Sequence, residues 1–244
     1  MELQVIAHAV AILFSVLLLN KIVKLLSIQG RNEYSKQEWF ASLLPFSLVA
    51  VAGTLNNELA TVFLGLLGSD ESIGYFKVAM QGIIVLALGL QAVNTVSGPR
   101  IARMYRLGQF SETQKLLRKS ARLSFISSVP LAVFLMIFGS DLIKILFGDA
   151  YLLAANLLAI LCIGQIVNVS MGSVGLVLNM TGNEKRTLRA QVITIIVTVI
   201  LLSILIPFFE ATGAAISVSI GLAVWNFIMA YDVYRLTGLK TWIH

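Results

Sequence analysis

The sequence predicts an all-α membrane protein, a polytopic bundle of about seven transmembrane helices, and three observations predict it. Hydrophobic residues make up 58% of the 244 residues and charged residues only 12%, with a mean hydropathy of +0.89. Soluble domains carry about a quarter of their residues as charges, so water cannot be the solvent around most of this chain. The apolar residues gather into seven runs near the roughly 17–25 residues that a helix needs to cross a hydrocarbon layer. The basic residues alternate along the chain, sixteen of the eighteen Lys and Arg falling in every second connection.

The first run, Leu3 to Leu19, is followed by Asn20, Lys21 and Lys24. Glu2 stands where a secretory signal would carry positive charge, so this run is expected to stay as a span whose start faces outward. The second, Trp39 to Leu67, has Pro45 near its start and Gly53, Thr54, Asn56, Asn57 and Glu58 through its middle; that composition predicts an interrupted helix. The third, Gly74 to Gly98, is expected to end at Pro99. The fourth begins near Leu123, contains Pro130, and fades at Gly139 into an interfacial stretch over 141–149. The fifth covers Ala150 to Met180, the sixth Val192 to Phe209 and the seventh Thr212 to Tyr231. The expected division is a single transmembrane helix plus cytoplasmic linker (1–38), a six-helix transmembrane bundle (39–236) and a cytoplasmic tail (237–244).

Lys and Arg beside a span stay on the cytoplasmic side. With an outward N-terminus, residues 20–38, 99–122, 181–191 and 232–244 lie inside, leaving only Lys77 and Lys144 outside. The stretch from Pro99 to Arg122 dominates this pattern, with Arg100, Arg103, Arg106, Lys115, Arg118, Lys119 and Arg122 against Glu112 alone. Within it, Ser111 and Gln114 have the spacing of a capping box, which predicts a helix start. Its charges serve as an orientation signal or bind anionic headgroups, so membrane lipids are an expected partner.

Several functions are excluded. A net charge of +6 confined to one set of loops is membrane orientation, and no aromatic-basic platform for nucleic acid accompanies it. Cys162 is the single cysteine, and His8 and His244 stand at opposite ends. No disulfide or metal site is therefore expected, and no cofactor. The chain has no phosphate-binding glycine-lysine loop. The short outer loops carry only scattered acids, which argues against an enzyme.

Glu58 is the one acid well inside a span. A carboxylate at mid-bilayer costs about 2.5–3.5 kcal/mol, so it faces a cavity, a partner or a water-filled vestibule. Asn56 and Asn57 adjoin it. Lys77 meets a bound anion or snorkels to the interface. Gln165, Asn168, Gly172, Gly175 and Asn179 recur at helical steps and share one face of the fifth run. Gln91 and Asn94 begin a similar face on the third, and Gln191, Thr194 and Thr198 on the sixth. Such faces are polar cavity wall or helix-packing seams.

Four stretches carry a more specific resemblance: Ile73-Gly74-Tyr75-Phe76-Lys77-Val78-Ala79 closing on Pro99, ILFGDAYLLAANLLAIL from Ile145, LVLNMTGNEKR from Leu176, and LIPFFEATGAAISVSI from Leu205. In this order and spacing they resemble the oligosaccharide-flippase branch of the multidrug/oligosaccharidyl-lipid/polysaccharide (MOP) exporter superfamily, over about Trp39 to Tyr231. The resemblance implies one lobe of a MOP/MATE-type transporter, preceded by the last helix of the other lobe. It implies a missing N-terminal lobe, or a second copy, to close a central cavity. The implied activity is alternating-access transfer of a lipid-linked oligosaccharide, an O-antigen or exopolysaccharide repeat unit, across the bacterial inner membrane, with a cytoplasmic C-terminus. The alternative within the superfamily is a multidrug exporter, which would show a more apolar, acidic pocket. Gly148, Gly182 and Gly213 in these motifs are expected where spans meet loops, with Gly213, Ala214 and Ala215 also allowing close helix approach.

Overall fold

The computed structural model describes residues 14–16, 18–19 and 36–243. Most of the first apolar run, the stretch at 20–35, His8 and His244 lie outside the described residues. The chain divides into two compact units, Met1–Phe40 and Ala41–His244, and the contacts below belong to the second.

The regular structure among the described residues is helical. Beyond the helical residues at 14–16 and 18–19, it comprises α1 (Lys36–Leu67), α2 (Asp70–Arg106), α3 (Phe110–Phe147), a 3-10 turn (Asp149–Tyr151), α4 (Ala154–Met171), α5 (Val174–Met180) and α6 (Glu184–Thr237). Five of these helices are long and apolar enough to cross a membrane. As one straight rod the 54 residues of α6 would measure roughly 80 Å, far beyond a hydrocarbon core of about 30 Å. The rod is broken at Glu210 (φ 46°, ψ −126°), giving limbs over 184–209 and 211–237. The limbs run antiparallel: a Cβ on Gly213 would stand 2.5 Å from the Leu205 carbonyl oxygen, Gly221 abuts Thr198, and Arg189 reaches Asp232. The predicted sixth and seventh spans are thus a hairpin, and Gly213 serves close approach within it rather than a loop.

Local sequence explains the start of α2. Ser69 caps it by accepting from the Ser72 amide, with Asp70 and Glu71 in the first turn and Arg103 and Arg106 in the last; these charges complement the helix dipole. The Glu210 carboxylate accepts from the hydroxyls of Ser69 and Ser72, at 3.2 and 2.5 Å. The α6 turn is thereby tied to the start of α2.

Four boundaries differ from the sequence reading. Pro99 lies inside α2 rather than at its end. The stretch expected at the interface after Gly139 is helix as far as Phe147, closed by Gly148 at φ 89°. Hydropathy marks where lipid ends, whereas a helix continues into water while its residues favour it. The expected capping box is not made: Gln109 is the N-cap of α3 without a side-chain bond. Gln114 instead donates to the Lys240 carbonyl and accepts from its amide, both at 2.8 Å.

The fourth difference concerns the interruption. α1 is unbroken, and the broken span is the fifth, split at Gly172 (φ 71°) and Ser173. Val174 N–H turns back to the Gly172 carbonyl at 2.9 Å, so the Ser170 carbonyl loses the partner that a continuous helix would supply. The Ile243 amide fills it at 3.0 Å. The C-terminal segment accordingly lies against the break, with Leu239 and Thr241 buried and the Thr241 carbonyl where a side chain on Gly172 would stand.

Two apolar clusters form the interior. One holds Phe76, Leu86, Leu158, Leu202 and Ile206; the other holds Ile101, Leu117, Leu178, Met229 and Val233. The second lies at the end where Gln114, Arg189, Asp232 and the C-terminal segment meet. The outward face is apolar instead of charged, with Val85, Leu88, Ile126, Ile137 and Ile196 exposed; lipid rather than water suits that face.

Candidate functional site: an amide-lined cavity between two apolar clusters

Between the two clusters the helices turn polar. On α2, α4 and the second limb of α6, the polar residues fall between the positions that feed one cluster and those that feed the other. Two adjoining cavities occupy this level. The first, about 230 Å³, takes its polar lining from Asn56, Asn57, Gln91, Gln165, Thr198 and Ser219, and apolar walls from Phe76, Met80 and Ile83. The second, about 200 Å³, is lined by Asn94, Asn168, Ser173, Trp225 and Asn226, and shares Gln91 and Gln165 with the first.

The amides form a chain. Asn226 Nδ2 donates to Asn168 Oδ1 at 3.0 Å, and Asn168 Nδ2 donates to Gln165 Oε1 at 3.0 Å. The Ser173 hydroxyl, placed by the helix break, donates to Asn94 Oδ1. Asn226 Oδ1, Trp225 Nε1 and Asn56 Oδ1 are buried and have no hydrogen-bond partner among the described residues. A buried polar atom without a partner costs about 1–3 kcal/mol. Of the seven such atoms among the described residues, three fall at this level, where a polar guest could supply their partners. No ionisable side chain lines either cavity.

Of the sequence candidates, Asn56, Asn57, Gln91, Asn94, Gln165 and Asn168 meet here. Glu58 and Lys77 are exposed and line neither cavity. Asn179 lies past the break and accepts from the Thr187 hydroxyl at 2.8 Å, so the face expected along the fifth run is divided at Gly172. Thr194 is fully buried and, with Thr198, packs on Gly221. Of that face of the sixth run, Thr194 is a packing contact, while Thr198 also lines the first cavity. The basic residues 100, 103, 106, 115, 118, 119 and 122 are exposed toward the other end. Lys115 pairs with Glu112 at 2.7 Å, an exposed pair of little energetic weight.

Sequence reasoning missed Ser173, Trp225 and Asn226. Asn226 had a legible signal: it is the one amide in the run from Thr212 to Tyr231, and a lone amide in a span needs a partner. Asp232 was missed too. It is buried and bound through both oxygens to Arg189 Nη2, at 2.9 and 2.8 Å.

Comparison with known proteins fits this geometry. The family model described as polysaccharide biosynthesis protein matches residues 3–156, more than half of the chain, and the chain belongs to that family. It is 22% identical over 196 residues to the capsular polysaccharide biosynthesis protein CapF of Staphylococcus aureus, covering 80% of this chain and 50% of CapF. To the probable low-salt glycan biosynthesis flippase Agl15 of Haloferax volcanii it is 24% identical over 199 residues, covering 80% of this chain and 42% of Agl15. Among solved structures it superposes on a MOP superfamily transporter of Pyrococcus furiosus with a TM-score of 0.65, at 24% identity, covering 82% of this chain and 44% of that one. A MATE transporter in a bent conformation gives 0.66 at 25% identity, covering 82% and 45%. The chain thus spans half or less of the length of these relatives. The resemblance drawn from the four motifs is borne out, and the chain is a multi-pass membrane protein with the MOP fold.

Proposed function

We propose that this chain is the lobe of a transporter that moves a lipid-linked oligosaccharide across a membrane by alternating access. The observation that carries the reading is the uncharged lining of the paired cavities: Gln91, Asn94, Gln165, Asn168 and Asn226 supply amides, with no acid or base among them. Amides exchange hydrogen bonds with sugar hydroxyls without the cost of burying a charge. An exporter of cationic drugs needs a carboxylate in the same place to offset the cation. Each cavity falls below the roughly 300–1,000 Å³ of a complete small-molecule site, as expected of one wall of a larger space. A second lobe, or a second copy of this chain, would supply the opposite wall. The glycan and its phosphates would pass through the polar level while the lipid tail stays in the bilayer.

The relatives' polysaccharide and glycan roles support a glycan cargo. The gathering of basic residues supports an orientation with the C-terminus cytoplasmic, and the family resemblance implies the bacterial inner membrane as its place. No covalent step is needed. Glu58 is the acid we assign to coupling with an ion gradient, acting from outside the amide cavity.

The test is transfer of a fluorescent lipid-linked oligosaccharide between leaflets of proteoliposomes holding the protein, read by a membrane-impermeant quencher. Wild type should protect or expose the label faster than empty vesicles, and Gln165→Leu/Asn168→Leu should abolish the difference. Wild-type rates in the double variant would refute the assignment. Transport of a cationic dye but not of the glycan would replace it with drug export.

A further inference from the structure

Away from the amide cavities, α2 and α3 leave a groove of about 330 Å³ that shares no lining residue with them. Its floor is the buried Ser97–Ser120 pair, hydroxyl to hydroxyl at 2.8 Å. Serines there let the two helices approach closely while satisfying each other. Ala92, Val96 and Arg100 edge the groove from α2, and Lys119 and Leu123 from α3. The three α2 positions recur at four-residue steps and form one stripe, roughly 12 Å long, that passes from apolar to cationic. Because α3 runs back along α2, Lys119 lies toward the same end as Arg100, and Leu123 lies deeper beside Val96. No acid lines the groove. Among the described residues neither cation takes part in an ion pair.

We infer that this groove is a binding site for one anionic phospholipid. The phosphate sits between Arg100 and Lys119, and the first part of an acyl chain lies along Ala92, Val96 and Leu123. The occupant's own polarity selects it. A soluble anion would leave the apolar half empty, and a zwitterionic lipid would bring its own cation against Arg100 and Lys119. The two cations stand at the border of the apolar segments, at the depth of a headgroup, where each contributes favourably to an anionic surface. The site lies outside the transport cavity, so its occupancy does not depend on the identity of the cargo.

Native mass spectrometry of the purified chain in a neutral maltoside detergent tests this, titrating phosphatidylglycerol, phosphatidylcholine and glycerol 3-phosphate separately. Wild type should retain one phosphatidylglycerol in preference to phosphatidylcholine, and glycerol 3-phosphate should not displace it. Arg100→Gln/Lys119→Gln should weaken retention roughly 30-fold. Val96→Trp, which keeps both charges and fills the groove, should weaken it about tenfold or more. Arg103→Gln/Arg106→Gln, with the same charge loss outside the groove, should stay within about threefold of wild type. Equal retention of the two lipids, displacement by glycerol 3-phosphate, an unaffected Val96→Trp, or an equal loss in the Arg103/Arg106 variant would each overturn the site. If the Arg100/Lys119 variant is not monodisperse, Val96→Trp decides alone.

Discussion

Replacing Arg189 by Met tests the hairpin that carries Asn226 into the cavity. Arg189 and Asp232 join the two limbs of α6 near their open ends, and their side chains are 47% and 4% exposed. Breaking a fully buried pair costs about 3–5 kcal/mol, because the remaining charge is stranded; an exposed pair is worth about 0–1 kcal/mol. Here the carboxylate is buried and the guanidinium is half in solvent, so screening places the cost between these limits, at about 1–3 kcal/mol. At roughly 2–4 °C per kcal/mol for a chain of this size, Arg189→Met should melt about 2–12 °C below wild type. Thermal unfolding in detergent reads this through Trp225 and Trp242, which lie on and beside the second limb. Arg189→Met/Asp232→Asn, which leaves no buried charge, should recover more than half of the loss. If the two single effects simply add, within about 0.3 kcal/mol, the pair is not coupled and the reasoning fails.

Other expectations follow from the helix break and from the acid beside the cavity. Gly172→Ala meets both a positive φ and the Thr241 carbonyl, whereas Gly182→Ala meets only its φ of 77°, with no atom nearby. Limited trypsin digestion should therefore cut after Lys240 at least several-fold faster in Gly172→Ala than in Gly182→Ala; equal rates would contradict the docking of the C-terminal segment. Gln114→Leu removes two 2.8 Å bonds to Lys240, worth about 1–3 kcal/mol together. It should raise the same cleavage, and unchanged protection would show that these bonds hold nothing. Glu58→Gln should remove the dependence of transport on an imposed ion gradient. Gradient-driven transfer at the wild-type rate would dispose of its coupling role.

The spans after the first were legible among the described residues, because long apolar runs separated by alternating charge have one economical arrangement in a bilayer. The ends of α2 and α3 were not, since hydropathy reports the solvent and not the backbone: Arg100, Arg103 and Arg106 continue a helix that Gly98 and Pro99 suggested was over. Glycine and proline in the second run suggested a break, yet α1 is one helix from Lys36 to Leu67. The real break, at Gly172, was disguised by the apolar residues on either side of it, and what settles it is distant in sequence. The Ile243 amide satisfies Ser170, and no local pattern shows this. For the same reason the capping-box reading of Gln114 gave way to a contact with Lys240. Of the amides that line the cavities, all but Asn226 were visible in the sequence, Gln91, Asn94, Gln165 and Asn168 by their helical spacing. Ser173 and Trp225 enter the lining only through the break and the hairpin.

Cysteine labelling in membranes tests the central claim most directly. In a Cys162→Ala background, Asn168→Cys and Ile163→Cys place a thiol on different faces of α4, one lining the cavity and one outward and 54% exposed. A charged, water-soluble thiol reagent should modify Asn168→Cys at least about tenfold faster than either Ile163→Cys or, in the unsubstituted chain, the buried Cys162. Labelling of Asn168→Cys no faster than Cys162 would mean that the amides are a sealed packing seam, and the transport reading would fall with the cavity.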